Sequence, residues 1–153
     1  MLLLLFQLGQ DRFALDAGSI VEVLPLVSIR KTIRSPPGVA GTLNYHGSLV
    51  PVIDLSDLLL GRPAAPHLST RVVLANHVDE KGSSRLVGLV TENVTQTLRC
   101  EAADLVSPGI ATSDAAYLGR LVKGPDGLVQ IIELGRLLPD SLRLSLLDEP
   151  EAA

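Results

Sequence analysis

The sequence predicts an all-β protein with a few short helices, built as small β-barrels or as a sandwich. Three observations support this fold class. Short apolar or alternating runs recur along the 153 residues, clusters of Gly, Pro, Asn and Asp separate them, and no long amphipathic helix pattern interrupts them. A chain of this length is enough for one sizeable core or for two small cores that share an interface.

Eight runs have the length and composition of β-strands. They lie at 2–8, 12–15, 20–24, 49–53, 71–75, 86–91, 94–99 and 128–132. The first run resembles the apolar part of a signal peptide, but it has no basic leader and is far shorter than the roughly 20 residues of a membrane span. We therefore interpret it as a buried strand of a cytoplasmic protein.

Three brief segments, at 55–60, 134–138 and 141–147, are predicted to be helical. Asp54 precedes the first of them, where its carboxylate can accept hydrogen bonds from amides one turn on, and Asp57 suits the positive end of the helix dipole. Glu133 has the corresponding place before the second segment. We expect these carboxylates to cap helices and not to act as catalytic acids or bases.

An internal echo suggests that the chain contains two similar units. Residues 49–60 read LVPVIDLSDLLL and residues 128–139 read LVQIIELGRLLP, with six identities at an offset of 79 residues. A weaker match, at an offset of 74 residues, relates the segments that begin at Phe13 and Val87. Because the two matches occur in the same order, they indicate a repeated β lobe.

The predicted organisation is a single domain, 1–153, with two lobes. Lobe 1 covers approximately 8–66 and lobe 2 approximately 67–147, and a Pro/Ala-rich linker at 61–67 marks the boundary. The strand at 1–8 precedes most of lobe 1 and can pair with strands of lobe 2.

Composition and motifs argue against catalysis. The net charge of −4 gives no general attraction to nucleic acid, and there is no phosphate-binding loop, nucleophile elbow or dinucleotide fingerprint. His46, His67 and His77 lie in separate segments without metal-ligand spacing, so we expect surface histidines, no metal and no cofactor. Cys100 is expected to be a small buried side chain.

The residues favour a protein-binding module. Small β lobes expose strand edges and a cleft between them, which suits an amphipathic helix or the edge of another barrel. Ile20, Val21 and Val23 surround Glu22, and consecutive apolar residues on a strand point to both of its faces. Two interpretations stay open: this strand lines a binding cleft, or the second lobe buries it on both faces.

The stretch that follows this region resembles a known family. The family signature of a Pro, Val-x-Gly, an Asn-Leu-Arg-Gly turn and Ile-Val-Pro-Val-Ile-Asp-Leu is matched by PGVAGTLNYHGSLVPVIDL at 37–55. Further matches are FQLG at 6–9, FALD at 13–16, VEVL at 21–24 and VGLV at 87–90. On these motifs the chain is similar, over nearly its whole length, to the CheW-like coupling proteins of bacterial chemosensory arrays.

The resemblance implies two five-stranded β-barrels packed together and a non-catalytic adaptor role. Such proteins couple the signalling tip of a methyl-accepting chemoreceptor to the regulatory domain of a CheA-type histidine kinase. They act from the cytoplasm at membrane-associated receptor arrays, without inserting into the membrane. By resemblance, the receptor-binding groove comprises Ile20, Glu22, Asn44, Tyr45 and His46. Kinase-binding residues are not assigned.

Two positions depart from the family pattern. His46 replaces the usual Arg of the turn, and Ser56 replaces the Arg that often follows Asp-Leu. A histidine offers fewer donors than the fixed, always charged guanidinium, which motivates the hypothesis of an accessory adaptor with a dedicated receptor and kinase. A surface-sensing pathway that controls a cyclic dinucleotide is one such setting. Two alternatives stay open: a stand-alone regulatory fragment of a kinase fusion, and a small-molecule-binding β protein.

Overall fold

Ten β-strands, one α-helix and a few short 3-10 turns form the described part of the chain. The structure is a computed structural model, and it describes residues 1–26, 29–30, 38–78, 82–107 and 118–137. The strands are β1 (Leu2–Leu8), β2 (Asp11–Asp16), β3 (Ile20–Pro25), β4 (Val39–Tyr45), β5 (Ser48–Asp54), β6 (Arg71–Val78), β7 (Ser84–Thr91), β8 (Gln96–Arg99), β9 (Leu118–Gly124) and β10 (Gly127–Ile132). The helix is α1 (Leu55–Leu60).

The strands form two five-stranded sheets, which confirms the all-β prediction. Sheet A has the order β8-β1-β2-β10-β9, and sheet B has the order β3-β6-β7-β5-β4. Most neighbours are antiparallel, but β2 pairs with β10 and β5 pairs with β7 in parallel. The chain passes from sheet A to sheet B after β2 and returns after β7, so it does not complete one sheet before starting the other.

The crossovers explain the internal echo. Strands β5 and β10 occupy equivalent places in the two sheets, as do β2 and β7, so the sequence matches reflect a structural repeat. Each half of the chain nevertheless contributes its first hairpin, β1–β2 or β6–β7, to the sheet that the other half completes. The two repeats therefore exchange their first hairpins.

The predicted division into lobes at 8–66 and 67–147 differs from this arrangement. The boundary falls between α1 and β6, yet β5 and β7 on either side of it pair within sheet B. A sequence repeat looks the same whether two units lie side by side or exchange a hairpin, so it does not reveal which strands pair. Strand β1 pairs with β8 from the second half of the chain.

The two predicted five-stranded lobes are present, but neither is a closed barrel, because the strand order of each sheet is open. Among the described residues, β8 and β9 form the edges of sheet A, and β3 and β4 form the edges of sheet B. In each sheet, an isolated antiparallel bridge links the segment that follows one edge strand to the other edge strand. Arg30, which follows β3, pairs with Thr42 of β4, and Val106, which follows β8, pairs with Leu121 of β9. The sheets are thus curled into barrel-like lobes.

The inner strands β5, β6 and β7 have runs of consecutive buried residues, so both of their faces are covered, which accounts for the continuous apolar runs in the sequence. The largest cluster lies between the sheets and includes Phe6 and Phe13 of sheet A, with Leu89 of sheet B. The two phenylalanine rings stack with their centroids 5.9 Å apart. A second cluster around Leu5 fills the curl of sheet A, and a third around Val52 fills that of sheet B.

The cap predicted for α1 is confirmed. The Asp54 carboxylate accepts hydrogen bonds from the Ser56 amide at 3.0 Å and from the Asp57 amide at 3.3 Å. Gly61 ends the helix in the left-handed conformation, with φ at 74°, which a residue without a Cβ adopts at little cost. None of the helices in the described ranges has the length and hydropathy that crossing a bilayer requires.

The second predicted helix is a single 3-10 turn at Leu134–Arg136. The cap predicted at Glu133 is wrong, since its side chain makes no capping hydrogen bond and instead lies 3.5 Å from the Arg136 guanidinium. The third predicted helix, at 141–147, lies outside the described residues.

Strands β4 and β9 are absent from the prediction. Their sequences, VAGTLNY and LGRLVKG, mix small, polar and charged residues and lack a sustained apolar alternation. Both are edge strands, which have only one neighbour and therefore need less apolar surface.

Candidate protein-binding site

The candidate site begins at the turn that joins β4 to β5. Tyr45 and Ser48 pair at the end of the hairpin, and His46 and Gly47 form the two-residue turn between them. Both turn residues have positive φ, 50° at His46 and 87° at Gly47, as a type I′ turn requires. The Asn44 carboxamide oxygen accepts a hydrogen bond from the Gly47 amide at 2.9 Å and stabilises this turn.

The two edge strands of sheet B meet beside this turn. The Tyr45 hydroxyl of β4 donates a hydrogen bond to the Glu22 carboxylate of β3 at 2.5 Å. Donating this bond stabilises the protonated phenol, so the pKa of Tyr45 lies above its ordinary value. The structure therefore brings together two predicted site residues that are 23 positions apart in the sequence.

The His46 ring is exposed and lies against the Tyr45 ring, with centroids 4.3 Å apart and planes inclined by 68°. This is an edge-to-face arrangement, which aromatic pairs favour. Glu22, Tyr45 and His46 thus form one continuous surface feature, with Asn44 fixing the turn beneath it.

Strand β3 exposes its apolar residues next to Glu22. A register shift between Ile20 and Glu22 displaces Val21, which is 48% exposed, and Val23 is 41% exposed. The interpretation that the second lobe buries this strand on both faces is therefore wrong. Ile20 is half-buried and packs against the cluster between the sheets, which places it at the inner margin of the surface.

A network of buried polar groups supports the opposite end of sheet B. The Glu92 carboxylate accepts hydrogen bonds from the Ser56 hydroxyl at 2.9 Å, the Ala65 amide at 3.1 Å and the Arg62 guanidinium at 3.3 Å. Nearby, the second Asp54 oxygen accepts from the Ala64 amide at 2.8 Å. Segment 61–67, predicted to be a linker, is therefore tied to the sheet.

The two carboxylates of this network respond differently to burial. Burial raises the pKa of Asp54, and its three amide hydrogen bonds only partly offset that effect. Burial also acts to raise the pKa of Glu92, but the bonds from Ala65 and Ser56 and the nearby Arg62 charge outweigh it and lower that pKa. Sequence reasoning missed this network because its members are far apart in the chain.

The remaining candidate ligands occupy separate places. His46 and His67 are exposed, but the expectation of a surface histidine is wrong for His77, which is buried on β6 at 2% exposure. Among the described residues, no three His, Cys, Asp or Glu side chains converge as ligands for a metal ion. Cys100 is buried in the core of sheet A, as predicted.

Comparison with known proteins shows where this architecture belongs. Residues 2–142 match the CheW-like domain. The chain belongs to the CheW-like family. It is 26% identical over 143 residues to the chemotaxis protein CheW of Rhizobium meliloti, a match that covers 92% of this chain and 89% of the relative. The CheW of Klebsiella aerogenes is 24% identical over 147 residues, with 95% and 85% covered.

A solved structure shares the fold. The scaffolding protein TtCheW from Thermoanaerobacter tengcongensis superposes with a TM-score of 0.78, at 24% identity, over 90% of this chain and 87% of that one. The two five-stranded sheets are therefore a CheW-like arrangement.

The departures from the CheW-like signature have different structural settings. Ser56 is fully buried and donates its hydroxyl proton to Glu92, so it belongs to the internal network. His46 is exposed at the tip of the hairpin turn. Only the second departure changes a surface that a partner can contact. Pro37, the first residue of the signature, lies outside the described residues.

Proposed function

We propose that this chain is a non-catalytic adaptor that couples a methyl-accepting chemoreceptor to a CheA-type histidine kinase. The observation that carries the proposal is the CheW-like match across residues 2–142. It is supported by relatives named chemotaxis protein CheW, of which the alignments cover 89% and 85%. The adaptor acts in the cytoplasm, where receptor arrays recruit it.

The proposed receptor-binding surface is the junction of β3 with the β4–β5 turn. Exposed Val21 and Val23 supply apolar area, while Glu22, Tyr45 and His46 supply polar groups beside it. This combination suits an amphipathic helix, which buries an apolar stripe and pairs polar residues at its margins. Kinase-binding residues stay unassigned.

His46 supports the narrower proposal that the chain serves a dedicated receptor. The histidine stands at the exposed turn, where the family usually has an arginine, so a partner that presents carboxylates to that arginine would lose a bidentate contact here. A partner that does not depend on that bidentate contact is the better match. Surface sensing with a cyclic dinucleotide output is one pathway in which to look for it.

The proposal is tested by isothermal titration of the purified protein with two ligands, the regulatory domain of the cognate kinase and a signalling-tip fragment of the cognate receptor. Both should bind. Val21→Glu should weaken receptor binding at least about tenfold, because it places a charge in the apolar part of the contact. Val21 is preferable to Ile20 for this test, since Ile20 packs against the core.

Leu128→Glu provides the matched control. Leu128 is an exposed leucine on β10 of sheet A, away from the β3–β4 junction. This variant should leave receptor binding within about twofold of the wild type. If neither ligand binds the wild-type protein, the adaptor proposal fails. If Leu128→Glu weakens receptor binding as much as Val21→Glu does, the binding surface is wrongly placed.

A further inference from the structure

The Glu22 carboxylate has an unusual setting for an exposed acid. It lies on an edge strand between two exposed valines, and its observed partner is a neutral phenol, the Tyr45 hydroxyl. None of the ion pairs between described residues involves Glu22. The acid therefore holds its negative charge at the margin of an apolar surface, and no cation among the described residues pairs with it.

A phenol is a weaker partner for a carboxylate than a cation is. Hydrogen bonds in which both groups are charged are stronger than those with a neutral donor, and a guanidinium can also engage both carboxylate oxygens. A partner that brought an arginine or lysine to this place would therefore displace the tyrosine. Burial of the valines by the same partner would remove water and strengthen the new pair.

We propose that the Glu22–Tyr45 hydrogen bond is a latch that a basic side chain of the bound receptor helix opens. In the free protein the latch joins β3 to β4 across the opening of sheet B. In the complex, the basic side chain forms an ion pair with Glu22, and the apolar stripe of the receptor covers Val21 and Val23. The Tyr45 ring is released and loses its contact with His46. This inference rests on the proposed function and identifies the chemistry of the receptor at this surface.

Tyr45→Phe distinguishes a latch from a direct contact by the sign of its effect. It keeps the ring beside His46 but removes the hydroxyl that competes for Glu22. If the bond is a latch, the variant should bind the receptor fragment about two- to tenfold more tightly, the range expected for one net hydrogen bond. Unchanged or weaker binding of Tyr45→Phe overturns the proposal.

Glu22→Gln tests the charge of the partner. The glutamine still accepts a hydrogen bond from Tyr45 but has no negative charge, so it should weaken receptor binding about tenfold or more and reduce the dependence of affinity on salt. Kinase-domain binding is the control and should not change. A Glu22→Gln protein that binds the receptor fragment as tightly as the wild type, with the same salt dependence, shows that no basic residue engages this site.

The opening of the latch can be observed directly. The chain has no tryptophan and only two tyrosines, so Tyr117→Phe leaves Tyr45 as the sole intrinsic fluorophore. A carboxylate that accepts a hydrogen bond from a tyrosine hydroxyl quenches the tyrosine emission. Emission should therefore rise when a receptor fragment free of tyrosine and tryptophan is added.

The results separate this inference from the adaptor proposal. Receptor binding by titration calorimetry with no rise in Tyr45 emission overturns the latch and leaves the adaptor function standing. A wild-type protein that binds neither receptor fragment nor kinase domain overturns both. Tighter binding of Tyr45→Phe together with a rise in emission supports the latch.

Discussion

Replacing Glu92 with alanine removes the carboxylate that ties α1 and the following loop to the end of β7. The side chain is buried, at 5% exposure, and it accepts three hydrogen bonds. Ser56, one of the donors, is fully buried, so its hydroxyl loses its acceptor inside the protein. The Ala65 amide, a second donor, fixes the loop in which it lies. The substitution therefore leaves two donors without the acceptor around which they are arranged.

The expected cost follows from these contacts. Hydrogen bonds to a charged group contribute about 1.5–3 kcal/mol each, and removing a buried charge recovers part of its desolvation cost. The Arg62 side chain is 51% exposed, so its ion pair adds little. We expect Glu92→Ala to lower the free energy of unfolding by about 2–4 kcal/mol, which corresponds to a fall in Tm of about 5–15 °C for a chain of this size.

Urea denaturation followed by circular dichroism measures this change. Asp126→Ala is the matched control, because Asp126 also pairs with an arginine, Arg12, at the shorter distance of 2.7 Å, but its side chain is 60% exposed. Exposed ion pairs contribute about 0.2–1 kcal/mol. We expect the burial of the carboxylate, and not its distance from the arginine, to decide the cost. A loss for Asp126→Ala equal to or larger than that for Glu92→Ala would refute this expectation.

Three further predictions concern the pH dependence of stability and the packing of the core. The folded protein lowers the pKa of Glu92, so the stability that this carboxylate contributes is present above the ordinary glutamate pKa and is lost as the pH falls through the folded value. Glu92→Gln should therefore reduce the loss of stability at acid pH, measured as urea midpoints across the pH range. The pKa of Asp54 is raised, so its effect on the free energy of unfolding has the opposite sign. The stability that it contributes is lost as the pH rises through the folded value, and Asp54→Asn should remove that loss. A larger loss of stability at acid pH in Glu92→Gln contradicts the first assignment. Gly88→Ala should lower stability by about 1–3 kcal/mol in thermal unfolding, because the added methyl would lie 3.3 Å from both Val52 and Val72; an unchanged Tm would show that the core yields there.

Part of the candidate site could be read from the sequence, and part could not. The pattern Asn44 to Gly47 indicates a tight turn before an apolar strand, and the consecutive apolar residues on either side of Glu22 indicate a strand with apolar residues on both faces. The contact between Glu22 and Tyr45 has no local signal, because it joins the opposite edges of one sheet. The network around Glu92 likewise depends on which side chains the crossover brings together.

The sequence by itself determined the all-β class, eight of the ten strands, the capped helix at Asp54 and the existence of a repeat. These features are local or periodic: strand runs, turn residues and helix caps depend on neighbouring positions. Tertiary structure alone decided that the repeats exchange hairpins, that β4 and β9 form edges and that His77 is buried. Parallel pairing between distant strands leaves no mark on the residues between them, so only the packed cores select which strands become neighbours.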